Sequence, residues 1–202
     1  MSMKAKEVQK ARQSEWQRRE VRRSRIIAAV WIVVGLAFVG ILVYLAWKQA
    51  QPIPRTGESV PIQGRSHIKE GEPHDPYNSD PPTSGPHYET PAEAGFYEVA
   101  PLDEQLVHSL EHGYVIIWYN CTSLSPAACD KLKTDIRETM GQVENSPITH
   151  TSKLIAVPRP TMDRLLALTT WGQLDKFDAF DRTRILNFIR AFRDDAPEPT
   201  VP

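Results

Sequence analysis

Leu102-Asp103-Glu104-Gln105-Leu106-Val107-His108-Ser109-Leu110-Glu111-His112-Gly113 runs directly into Tyr114-Val115-Ile116-Ile117-Trp118-Tyr119, and the change of period at Gly113 decides the fold. In the first part Leu102, Leu106, Val107 and Leu110 recur at helical spacing and make one apolar face. Glu104, His108, Glu111 and His112 fall on the opposite face. Glycine tolerates the left-handed backbone that ends a helix, so Gly113 marks the stop. The second part is β-branched or aromatic throughout, as in a central strand covered on both faces. A helix leading into a doubly covered strand points to the α/β class.

Downstream the same reasoning predicts an amphipathic helix over 126–140, opened by Pro126, and a strand over 153–157 stopped by Pro158. It predicts a second strand over 165–171, ended by Gly172, and a closing helix over 178–193. Phe180, Ile185, Phe188, Ile189 and Phe192 form the core stripe of that helix. Strand, helix and strand in succession imply a parallel crossover. The expectation is therefore an α/β domain with α+β character: a small three- to four-stranded sheet with packed helices. A long Pro-rich loop precedes it, because residues 67–101 are dense in Pro, Gly, Asp and Asn and hold no periodicity. A stretch of that length inside a compact domain suits a loop that positions side chains.

Upstream, residues 26–47 read IIAAVWIVVGLAFVGILVYLAW without a charge. As a helix this run spans about 33 Å, enough to cross a hydrocarbon core of about 30 Å. Nine basic residues precede it, opposed only by Glu7, Glu15 and Glu20. The positive-inside rule then puts the N-terminus in the cytoplasm and the rest outside, in contact with membrane lipid through residues 26–48. A cleaved signal peptide would need a shorter apolar core and a small-residue cleavage site, so an uncleaved anchor is favoured. The expected domains are a basic tail at 1–25, a transmembrane helix at 26–48, a linker at 49–66 and an extracytoplasmic domain at 67–199.

The chain as a whole is close to neutral, but everything after the tail carries 15 basic and 22 acidic residues, a net charge of −7. That balance excludes nucleic acid as a partner, since phosphate binding needs clustered Lys and Arg. It is compatible with cations. Cys121 and Cys129 are the only cysteines, and the seven residues between them rule out a C-x-x-C redox motif. In an oxidising compartment such a local pair closes as a disulfide; free thiols or metal ligation are the alternatives.

Six histidines lie beyond the anchor: His67, His74, His87, His108, His112 and His150. His108 and His112, four apart on a helix, stand close enough to share one ion, and His87 closes the stiff run Pro81-Pro82-Thr83-Ser84-Gly85-Pro86. His87, His108 and His112 are the candidate ligands. His67 or Met162 would complete the shell, with Glu104 and Glu111 orienting imidazoles as acceptors. Thioether with imidazole favours copper over zinc. The plain alternative is that His108 and His112 decorate a solvated helix face and that Met162 fills the core. His108-x-x-Glu111-His112 also fits the inverted zinc-protease signature, with Glu111 as base, although the motif ends abruptly at Gly113. No G-x-S-x-G elbow surrounds Ser84.

The blocks at 77–87 (YNSDPPTSGPH), 95–97 (GFY) and 107–115 (VHSLEHGYV) resemble a family of bacterial membrane-anchored proteins catalogued as domain of unknown function 3105. The later Leu168-Thr169-Thr170-Trp171-Gly172 and Phe188-Ile189 are similar to its C-terminal part, and the resemblance covers about residues 64–199. It implies a single-pass anchor and an extracytoplasmic domain. His67, His87, His108 and His112 fall at its motif positions, whereas His74 and His150 do not. It implies no activity. The residues thus favour a binding role over an enzymatic one: a transition-metal site, copper before zinc, serving metal handling or assembly of a membrane metalloenzyme. One alternative is a metal-free interaction module of a membrane protein complex, docking through its Pro-rich loop. The other is a small zinc hydrolase.

Overall fold

The computed structural model describes residues 3–202. The chain divides into two compact units, the first ending at Pro52 and the second spanning Ile53–Pro202. The first is built on one helix, α1 (Met3–Gln49). Its segment Arg18–Lys48 is long and apolar enough to cross a membrane. Ile32, Leu36, Val39 and Val43 are among its exposed side chains, the surface expected of a helix whose solvent is lipid.

In the second unit the order is β1 (Glu58–Ser59), β2 (His67–Ile68), β3 (His87–Tyr88), β4 (Gly95–Phe96), α2 (Asp103–Glu111) and β5 (Val115–Tyr119). There follow α3 (Pro126–Gly141), β6 (Leu154–Pro158), β7 (Leu166–Thr170), β8 (Gln173–Phe177) and α4 (Arg182–Phe192). The main sheet runs β1-β8-β7-β5-β6-β4, and β2 and β3 form a separate two-stranded parallel ladder. The class is the α/β one expected, with β5 and β6 parallel across α3 and β5, β7 and β8 antiparallel.

The sheet is larger than the three to four strands predicted, for two physical reasons. β1 and β4 are two residues long, too short for any periodicity to register. β8 reads Gln-Leu-Asp-Lys-Phe, and its buried Asp175 disguises it as a loop. The Arg184 guanidinium grips that carboxylate with two hydrogen bonds, of 2.9 and 2.5 Å, which permits its burial. Within the segment read as linker, β1 pairs with β8, and the Gln63 amide donates to Ser84 Oγ at 3.0 Å.

Alternation along β5 sends its side chains to two cores. Val115, Ile117 and Tyr119 pack with Leu132 and Ile136 of α3 and with Ile185, Phe188, Ile189 and Phe192 of α4. Ile116 and Trp118 pack on the other face with Leu106 and Leu110 of α2. The fully buried Trp118 indole donates to Thr169 Oγ1 at 2.8 Å, so no polar atom is stranded there. Ser125 caps α3 and Asp181 caps α4, each side chain accepting a backbone N–H of the first turn. Cys121 and Cys129 form a disulfide that ties the loop after β5 to the first turn of α3.

The C-terminal segment is held rather than frayed. Lys153 is fully buried and donates to His112 O at 2.6 Å and Pro199 O at 2.7 Å. The Glu198 amide donates to Glu111 O at 3.0 Å. Residues beyond α4 therefore lie against the C-terminal end of α2.

Candidate metal centre

The amphipathic pattern of α2 ordinarily leaves a polar face in water, the alternative weighed above, but every residue from Leu106 to Glu111 is buried. The cover is the Pro-rich segment. Residues 81–85 are buried, and Thr83, Ser84 and His87 have no accessible surface. The segment is pinned by the Tyr77 hydroxyl, which donates to Pro86 O at 2.7 Å. Gly85 has φ +133°, and a Cβ there would stand 2.9 Å from the Tyr77 ring, so only glycine lets the chain pass.

Parallel pairing in the β2–β3 ladder sets His67 beside His87, with ring centroids 4.8 Å apart. His108 of α2 lies 4.9 Å from both rings. One ligand atom each from His67, His87, His108 and Glu111 gathers within 4.8 Å of the others, a set that could hold a metal ion. His87, His108 and Glu111 are buried, and only His67 is exposed. Neighbouring donors in a tetrahedral shell with bonds of about 2.0–2.1 Å stand roughly 3.4 Å apart, within a small side-chain adjustment of this gathering.

Proton placement makes the cluster unusual. A backbone carbonyl can only accept, so the nitrogen facing it must carry the proton. His87 Nδ1 donates to Gly85 O at 2.8 Å and His108 Nδ1 to Tyr88 O at 2.5 Å. His112 Nδ1 lies 3.2 Å from Pro202 O. In neutral rings the Nε2 atoms are then bare lone pairs. Yet His87 Nε2 stands 3.0 Å from Glu111 Oε2, and His108 Nε2 stands 3.0 Å from His112 Nε2. Acceptors face acceptors, and a cation between them would turn that conflict into coordination. Burial pushes the imidazoles of His108 and His112 below their ordinary value, which keeps them in the neutral form that binds metals. Burial alone would raise the Glu111 carboxyl, but the hydrogen bond from the Arg65 guanidinium, at 2.6 Å, and its charge work against that, and the carboxyl is held below its ordinary value. Arg65 also reaches Glu198 Oε1 at 2.7 Å.

The residues singled out from sequence divide accordingly. The structure brings His67, His87 and His108 together. Glu111, read as an orienting acceptor, stands in the donor set itself. His112 touches the set through His108 and approaches Glu198 Oε2 at 3.9 Å. Glu104 lies 3.3 Å from His74 Nε2 and pairs with that ring instead. Met162 sits in the apolar core with Trp118 and Val157, its carbonyl accepting from Asn120, so the gathered donors are nitrogen and oxygen. Arg65 was not anticipated: a lone arginine in a Gly- and Pro-flanked stretch gives no sequence signal of its partner.

Residues 67–202 match the family described as Protein of unknown function (DUF3105). No curated protein and no solved structure matches the chain.

Proposed function

Because the chain belongs to the DUF3105 family, whose description names no activity, we propose from its own residues that the folded unit binds one transition-metal ion through His67, His87, His108 and Glu111. It does so as a membrane-anchored domain outside the cytoplasm, serving metal handling or the assembly of a membrane metalloenzyme. The observation that carries this reading is the crowd of acceptor atoms at the Nε2 side of the buried rings, each ring fixed from behind by a backbone carbonyl. Metal-ligating histidines are oriented in that way, by an acceptor on the other nitrogen. Three imidazoles and a carboxylate suit copper(II) or zinc, and with Met162 in the core no thioether draws the site toward copper(I). At equal geometry copper(II) binds more tightly than zinc. The basic tail and the Cys121–Cys129 disulfide support the outward placement of the domain.

Elemental analysis of the full chain in detergent, loaded with copper(II) or zinc and desalted, tests the reading. About one equivalent is expected, falling below about a tenth in His108→Ala and Glu111→Gln, because a closed site needs each of its buried ligands. Less than about a tenth of an equivalent in the unmodified chain ends the proposal.

A metal-free brace is the second reading, favoured by one contact: a doubly protonated His87 would satisfy both Gly85 O and Glu111 Oε2. In that reading the docking surface is confined to the exposed parts of the Pro-rich loop, such as Pro73 and Pro76, because residues 81–85 are buried. A hydrolytic role needs Glu111 free to take a proton from water, whereas Arg65 holds one of its oxygens and the other faces His87 across the proposed ion site.

A further inference from the structure

The four gathered donors are not equivalent. His87 and His108 are buried and each is anchored through Nδ1, and Glu111 is 1% exposed and tied to Arg65. The His67 side chain is 44% exposed, and its Nε2 lies 3.8 Å from Glu111 Oε2, beyond hydrogen-bond reach. Among the described residues no hydrogen bond holds its ring. Its backbone belongs to a two-residue strand with β3 as its sole partner. Three donors are thus pre-set by the fold, and the fourth is held by little besides the ion it would bind.

A cleft of about 510 Å³ opens at His67, bordered also by Tyr88, Lys69 and the carboxylates of Glu70, Glu72 and Glu89. Its floor is fastened by the Gly71 amide donating to the Tyr88 hydroxyl at 3.1 Å and by the Lys69 amide donating to Glu72 at 3.0 Å. Three carboxylates against one ammonium attract cations and disfavour anionic ligands. A neutral nitrogen donor is therefore the incoming ligand this entrance tolerates best.

Resting on the metal reading above, we propose that His67 is the displaceable ligand of the centre and that the cleft beside it admits a neutral imidazole from a metal-donating or metal-accepting partner. The ion then changes hands sideways: its bond to His67 Nε2 breaks as the bond to the incoming imidazole forms. His87, His108 and Glu111 keep their hold meanwhile, and the charge of the ion is unchanged. The pre-set trio supplies retention, and the exposed ring supplies exchange.

Cobalt(II), whose visible spectrum reports its donor set, provides the test in the full chain in detergent. His67→Ala is expected to retain cobalt on desalting through the three remaining donors, bound more weakly than by the unmodified chain. His87→Ala and His108→Ala are expected to lose it on desalting. Added imidazole should return the His67→Ala spectrum to that of the unmodified chain, and His67→Gln, which keeps the bulk of the ring, should respond in the same way. If His67→Ala and His67→Gln, with unchanged circular dichroism, release cobalt as fully as His87→Ala, the inference is overturned and the metal reading stands. Spectra that imidazole leaves unaltered in both variants overturn it in the same way. An unmodified chain that takes up no cobalt, copper or zinc overturns both.

Discussion

The two faces of the central sheet are packed by different rules. Against α3 and α4 lie Val115, Ile117, Tyr119, Phe188 and Phe192, an apolar core that needs nothing but area removed from water. Against α2 the apolar layer includes Ile116, Trp118, Leu106 and Leu110. Behind it stand His87, His108, Glu111 and His112, buried and facing one another. A buried acceptor left without a donor costs about 1–3 kcal/mol, so the second face gives up stability that the first does not. Such a concession is intelligible when a ligand repays it. One face specifies the fold, and the other uses the fold to hold a cluster that could take a cation.

Substitutions should therefore separate stability from metal content. Phe188→Ala removes a ring with no accessible surface from between α4 and the sheet, and about 3–5 kcal/mol of stability should go with it. Urea titration measures the loss. The folded fraction should still carry its full metal content, and a deficit there would mean that the two faces are not independent. On the other side, copper or zinc at 100 times its dissociation constant should stabilise the unmodified chain by about 2.7 kcal/mol. The gain should vanish in His87→Ala, as read from urea midpoints with and without metal. If that variant is stabilised as much as the unmodified chain, the ion sits elsewhere.

What was legible in the sequence follows the same division. β5, α3 and the α4 stripe announce themselves because burial on the apolar face obeys periodicity, and periodicity is what a sequence displays. β8 escaped because Asp175 breaks its alternation, and its burial depends on Arg184, nine residues away on another element. At the site, His87 and His108 were found from ligand chemistry. The burial of the polar face of α2 was not, since a helix of that pattern ordinarily turns such a face to water. The one available hint was the uncharged run from Pro81 to Pro86, whose lack of charge permits burial. Glu111 and Glu104 differ only in which neighbours reach them, Arg65 and His87 for one and His74 for the other. Tertiary contacts of that kind leave no local pattern.

Acid should weaken the polar face selectively. In the unfolded chain His108 and His112 titrate near 6.5, and burial lowers both in the fold. Between the folded and unfolded values the unfolded chain binds more protons, so stability is lost as the pH falls through about 6.5. Urea midpoints of the metal-free chain at pH 7.5 and 5.5 should differ, and His108→Gln combined with His112→Gln should flatten the difference. An equal slope in the double variant would place the titrating groups elsewhere.

The smallest effect belongs to the apolar face, at the start of α3. Ser125 Oγ accepts the Ala128 amide at 3.3 Å, and Ser125→Ala leaves that donor to water at a cost of about 1 kcal/mol. The same turn is fastened a second time, because Cys129 is joined to Cys121 and its amide donates to Ser125 O at 2.9 Å. Two restraints on one turn are coupled, so the cap should matter more once the disulfide is opened. Ser125→Ala measured with and without a thiol reductant gives the coupling directly. A larger loss in the reduced protein, with metal content unmoved in both states, is the expected result. Equal losses would mean that the disulfide restrains the loop after β5 and adds nothing to the helix start.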